Sequence, residues 1–149
     1  MTEVLFYHLE RGGVEGVLPD LLEKTLGRGW RAVVRTVSRE RVNMLDNHLW
    51  VYRDESFLPH AGTGEGVDQP VWLTDGEDVP NKAELLFLID GAKAEATALG
   101  NFIRCVTIFD GRDDEALSDA RKFWKETKAA GHDVAYWRQS PEGRWEKQA

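Results

Sequence analysis

The stretch FIRCVTIFDGRDDEALSDARKFWKETKAAGHDVAYWRQ, residues 102–139, decides the fold. Its opening, FIRCVTIF, is a short apolar run rich in β-formers and reads as a strand. Asp110 and Gly111 end that run, and a cluster of acidic side chains follows. Carboxylates suit the first turn of a helix, where the dipole is positive. Small and apolar residues then recur at 116, 120, 123, 127 and 130, the three-and-four spacing of a helix face turned toward a sheet. Gly131 stops the helix, and DVAYWRQ alternates as a strand does. A strand, a helix and a strand joined by such short links form a parallel crossover unit.

The same grammar extends toward the N-terminus. EVLFYH (3–8) is a strand, and GVLPDLLEKTLGRG (16–29) is a helix in which Pro19 suits the first turn. RAVVRTV (31–37) is a strand. SRERVNMLDNHLW (38–50) is a helix capped by Ser38, with Val42, Leu45 and Leu49 as its buried stripe. PVWLT (70–74) and ELLFLID (84–90) are strands. AGTGEGVDQ and DGEDVPNK are loops, and GAKAEATALGN permits a helix without patterning one. The order β-α-β-α-β-β-β-α-β predicts a single α/β domain over residues 1–149. Its sheet is mainly parallel, with helices on both faces and a Rossmann-like topology. The unbroken apolar runs VLF, AVV, LLFLI and VTIF suit strands buried on both sides. A polar extension follows from about residue 140.

The 149 residues carry a net charge of −7 and a pI of about 5.1. An acidic chain repels phosphate backbones unless its cations gather on one face, so direct nucleic-acid binding is not expected. No apolar run approaches the roughly 20 residues that cross a bilayer. The N-terminus has no signal-peptide pattern. The single cysteine, Cys105, fits a reducing, cytoplasmic setting.

Catalytic motifs are missing. The loop HLERGGVEGV after the first strand has three glycines, but neither phosphate-binding spacing, and it carries Glu10 and Glu15. Cys105 lies inside a strand pattern, where thiols are buried and inert. His8, His48, His60 and His132 are scattered without ligand spacing, so no metal and no cofactor is expected. A nucleotide-binding or enzymatic α/β domain is the alternative that this fold class leaves open.

The last helix carries the more informative pattern. Leu117 and Trp124 make an apolar edge beside the sheet-facing side, grading into a cationic ridge of Arg121, Lys125 and Lys128. Such a surface suits a short peptide with apolar and acidic groups, or a terminal carboxylate. Cations at a helix C-terminus also simply offset the dipole, and a tryptophan there also simply completes a core.

FYHL near the start, LDNHLW…ESFLPH, PVWLT, FDGRD and ARKFWKETKAAGHDVAYW together resemble the chi subunit of bacterial DNA polymerase III, over nearly the whole chain. The resemblance implies a non-catalytic adaptor in the clamp-loader assembly. It implies two partners: the psi subunit, and the acidic, phenylalanine-terminated tail of single-stranded-DNA-binding protein. On this sequence Arg121 matches the arginine that would grip the tail's carboxylate. Trp124 stands where the family can have a tyrosine, and Lys125 matches a lysine facing the tail's acidic residues. Leu117 replaces a further family lysine, which shortens the ridge. Lys128 joins on helical position alone. The resemblance places the psi interface at Phe57 and, nearby, Trp50; in some relatives a helicase occupies that surface.

Overall fold

The structure is a computed structural model that describes residues 2–51 and 59–149. Seven strands form one sheet in the order β3-β2-β4-β5-β1-β6-β7. They are β1 (Glu3–Leu9), β2 (Ala32–Arg35), β3 (Val71–Thr74), β4 (Leu85–Leu88), β5 (Arg104–Asp110), β6 (Asp133–Gln139) and β7 (Trp145–Lys147). All neighbours pair in parallel except β6 and β7, which are antiparallel. The expected α/β class and mainly parallel sheet are what the chain forms. Every residue of β2, β3 and β4 is buried, as continuous apolar runs in a doubly covered sheet require.

Helices α1 (Val14–Gly27) and α2 (Arg39–Val51) cover one face. There Leu18 and Leu22 of α1 and Val42, Leu45 and Leu49 of α2 pack on Val34, Phe87 and Val106. Helix α3 (Asp114–Ala129) and a 3-10 helix, Ala96–Asn101, cover the other. That core contains Val4, Phe6, Leu86, Leu99, Cys105 and Ala120. Strand alternation sorts the residues: Leu5 and Tyr7 of β1 serve the first core, Val4 and Phe6 the second.

Two local expectations are corrected, and one stretch that was left open is defined. Helix α1 starts at Val14, so Pro19 lies within it and not in its first turn. Proline has no N–H to give the Glu15 carbonyl four residues back. The ring of His48 on α2 takes that place, with Nε2 donating to the Glu15 carbonyl at 2.8 Å. The GAKAEATALGN stretch holds only the six-residue 3-10 helix. The C-terminal extension is not wholly polar tail: β7 covers the outer edge of β6, and Trp145 sets its ring 4.9 Å from Tyr7, edge to face. The three-residue β7 leaves a shorter edge for unwanted pairing than the seven-residue β6 would.

Candidate functional site

Asp113 begins α3. Its carboxylate accepts from the backbone N–H groups of Glu115 (2.9 Å) and Ala116 (3.3 Å), which have no partner within the helix. The helix then presents Ala116, Ala120, Phe123 and Thr127 to the sheet. Thr127 is fully buried, and its hydroxyl donates to the carbonyls of Phe123 and Trp124. Ala130, expected on the same face, is exposed because the helix ends at Ala129 and Ala130 is its C-cap.

This geometry brings the predicted ridge together. Leu117 and Trp124 are half-buried against the α3-side core, while Arg121, Lys125 and Lys128 are exposed. The Trp124 ring lies 5.3 Å from Phe6, between centroids, and 5.9 Å from Tyr136. The Lys128 ammonium stands 5.5 Å from the Trp124 ring centroid, within the range of a cation–π contact. Trp124 is therefore anchored in the core on one side and approached by the Lys128 ammonium on its exposed part.

Strand β6 adds two residues that sequence reasoning missed. Val134, Tyr136 and Arg138 alternate onto the α3 side of the sheet, and the Phe6 and Tyr136 rings stack at 6.2 Å in register. Burial raises the Tyr136 hydroxyl pKa, partly offset by the charges of Arg121 and Arg138. Tyr136 extends the aromatic surface of Trp124 on this side of the sheet. The 2.6 Å contact between its hydroxyl and His8 Nδ1 fixes it. His8 Nε2 lies 2.7 Å from Glu10, and Glu10 also accepts from Arg138 at 2.8 Å. The signal was present: period-two alternation in DVAYWRQ places 134, 136 and 138 together.

The second predicted surface is only partly in view. Phe57 lies outside the described residues. Trp50, near the end of α2, is 47 % exposed, with its ring 4.4 Å from that of His60. His60 is buried, and its Nε2 lies 3.0 Å from both the backbone and the side-chain oxygen of Asp46. Beside it, Ala61 bonds the outer edge of β3. Trp50 and the α3 ridge thus belong to opposite ends of the sheet.

His132 and Cys105 are held by the fold. His132 donates to the Ala96 carbonyl at 2.7 Å and ties the end of α3 to the 3-10 helix. Cys105 is fully buried, and desolvation pushes its thiol up to about 12. Among the described residues no group of three His, Cys, Asp or Glu side chains is placed to hold a metal ion. No described helix is long and apolar enough to cross a membrane.

In this fold class a nucleotide would lie at the C-terminal ends of the strands. A cleft of about 1030 Å³ opens there, between the α1 N-terminus and α3, lined by nine carboxylate residues and three basic ones. Arg41, one of those three, is already bonded to Glu15 at 2.8 Å and to Asp90 at 2.8 and 3.1 Å. The field in this cleft opposes a triphosphate. Fold and site together define a class: a mainly parallel α/β chain with a cationic and aromatic ridge on its last helix and an acidic cleft at the C-terminal ends of its strands.

Comparison with known proteins names the family. The family model for the DNA polymerase III chi subunit, HolC, matches residues 1–135. The chain belongs to that family. The DNA polymerase III subunit chi of Pseudomonas aeruginosa is 32% identical over 89 residues, covering 58% of this chain and 63% of that protein. The probable DNA polymerase III subunit chi of Rickettsia prowazekii is 28% identical over 91 residues, covering 60% of this chain and 55% of that protein. The alignments thus span under two thirds of either relative.

Proposed function

We propose that this chain is a non-catalytic adaptor of the replicative DNA polymerase. In this reading it holds the C-terminal tail of single-stranded-DNA-binding protein on α3 and joins the clamp loader through psi, or a helicase, at the Trp50 and Phe57 surface. The observation that carries the reading is the exposed Arg121 guanidinium beside the half-buried Trp124, in a chain of the chi family. A guanidinium pairs a carboxylate through two parallel hydrogen bonds. Trp124, Leu117 and Tyr136 offer the apolar wall for a terminal phenylalanine, and Lys125 and Lys128 face the acidic residues that precede it.

Arrangement at opposite ends of the sheet supports an adaptor, since two partners would not compete for space. Titration of the fluorescently labelled tail peptide tests the reading. Arg121→Ala and Trp124→Ala should each weaken binding about tenfold or more, equivalent to at least about 1.4 kcal/mol. Full-strength binding by Arg121→Ala would remove α3 as the tail site.

A further inference from the structure

On the opposite face from α3, beside the C-terminal end of α1, a pocket of about 240 Å³ opens among Tyr7, Trp30, Trp137 and Trp145. All four rings are half-buried. Three cations, Lys24, Arg28 and Arg104, line the same pocket. Arg28 and Arg104 each place the guanidinium carbon 5.4 Å from the Trp30 ring centroid. Glu3 pairs with Arg104 at 2.6 Å, and no carboxylate is among the lining residues. In a chain of net charge −7 this is a local reversal of sign built around an apolar hollow.

From this juxtaposition we infer a second docking site, which takes an acidic peptide segment of another protein by inserting one large apolar side chain. The hollow is smaller than the roughly 300–1,000 Å³ of ordinary small-molecule pockets and suits a single anchor residue. Acidic residues flanking that anchor meet Arg28, Lys24 and Arg104. The two arginines are already oriented against Trp30, so they lose little freedom on binding. The same contacts argue for a peptide over single-stranded nucleic acid, because bases need open ring faces to stack on and Trp30 is engaged by two guanidinium groups. Glu3 acts as an internal competitor that an incoming carboxylate displaces.

The site is independent of the α3 ridge, and its test separates the two. The full-length ¹⁵N-labelled protein is titrated with the peptide acetyl-DDFDD-amide, which has no terminal carboxylate, and the tryptophan indole N–H signals are followed. Saturable shifts at Trp137 and Trp145 are expected. Arg28→Glu should weaken them at least fivefold; Arg28 is exposed at the end of α1, so its side chain is not needed for folding. Glu3→Gln should tighten binding by freeing Arg104. Arg121→Ala should leave it within twofold, and replacing the peptide's phenylalanine by alanine should cost at least fivefold. Absence of saturable shifts, shifts confined to Trp124, unchanged affinity in Arg28→Glu, or the same shifts with a ten-residue oligothymidine but not the peptide would overturn the inference.

Discussion

Gly111 links β5 to α3, and a single methyl group there tests how the α3 site is held. A Cβ built on Gly111 would lie 1.7 Å from His8 Nε2 and 2.0 Å from its Cδ2. Ordinary carbon contacts need about 3.5–4.0 Å, so the ring would have to retreat by roughly 2 Å. It has little room: His8 is 6 % exposed, 5.2 Å from the Phe109 ring and fastened to the Tyr136 hydroxyl. Overpacking of this kind costs about 1–3 kcal/mol, and loss of the Tyr136 hydrogen bond adds about 0.5–1.5 kcal/mol. Gly111→Ala should therefore lose about 2–4 kcal/mol, read by urea unfolding. At about 2–4 °C per kcal/mol for a domain of this size, the Tm should fall by roughly 4–16 °C. The decisive comparison is the double-mutant cycle with His8→Ala, where the offending ring is gone and the methyl group should cost under about 0.5 kcal/mol. An equal cost in both backgrounds, or a negligible cost in the native one, would refute the role assigned to His8.

Three further outcomes follow from the same geometry. His48→Ala should destabilise by about 1–3 kcal/mol, since it strips the Glu15 carbonyl of its donor; Pro19→Ala should recover part of that loss by restoring a helical N–H, as paired urea melts would show. Burial pulls the His8 pKa below its usual 6.5, with Glu10 opposing. Between the lowered folded value and 6.5 the unfolded chain binds more protons, so stability rises with pH. This contribution is complete above about pH 6.5 and is lost as pH falls through the folded value; His8→Leu should flatten the fall in urea midpoint between pH 7.5 and 5.5. Cys105 should resist a thiol reagent at pH 8 in the native protein and react only on unfolding, whereas rapid native-state labelling would contradict its burial.

Strong periodicity made most of the fold legible. The strands FIRCVTIF and RAVVRTV and the helix ending in KETKAAGH were readable because hydrophobic spacing and glycine stops agreed with tertiary packing. The start of α1 was not, because Pro19 favours a first turn and its actual place depends on a histidine 29 residues away in sequence. Strand β7 was missed because SPEGRWEKQA is nearly all polar, and only Trp145 against Tyr7 gives it a buried anchor. Of the α3 site, the ridge was visible on one helix, where local spacing suffices. Tyr136 and Arg138 join the proposed site only through sheet register, which brings β1, β6 and α3 together from distant parts of the chain.

The central claim is that Arg121 receives the terminal carboxylate of the tail peptide. The most direct measurement is a four-way comparison: wild-type protein and Arg121→Ala, each titrated with the tail peptide and with the same peptide amidated at its C-terminus. A charge-assisted hydrogen-bonded pair contributes about 1.5–3 kcal/mol, so amidation should weaken binding to the wild-type protein by roughly 10–100-fold. It should change binding to Arg121→Ala by less than about twofold. An equal amidation penalty in both proteins would mean that the carboxylate is held elsewhere, and the proposed site on α3 would be wrong.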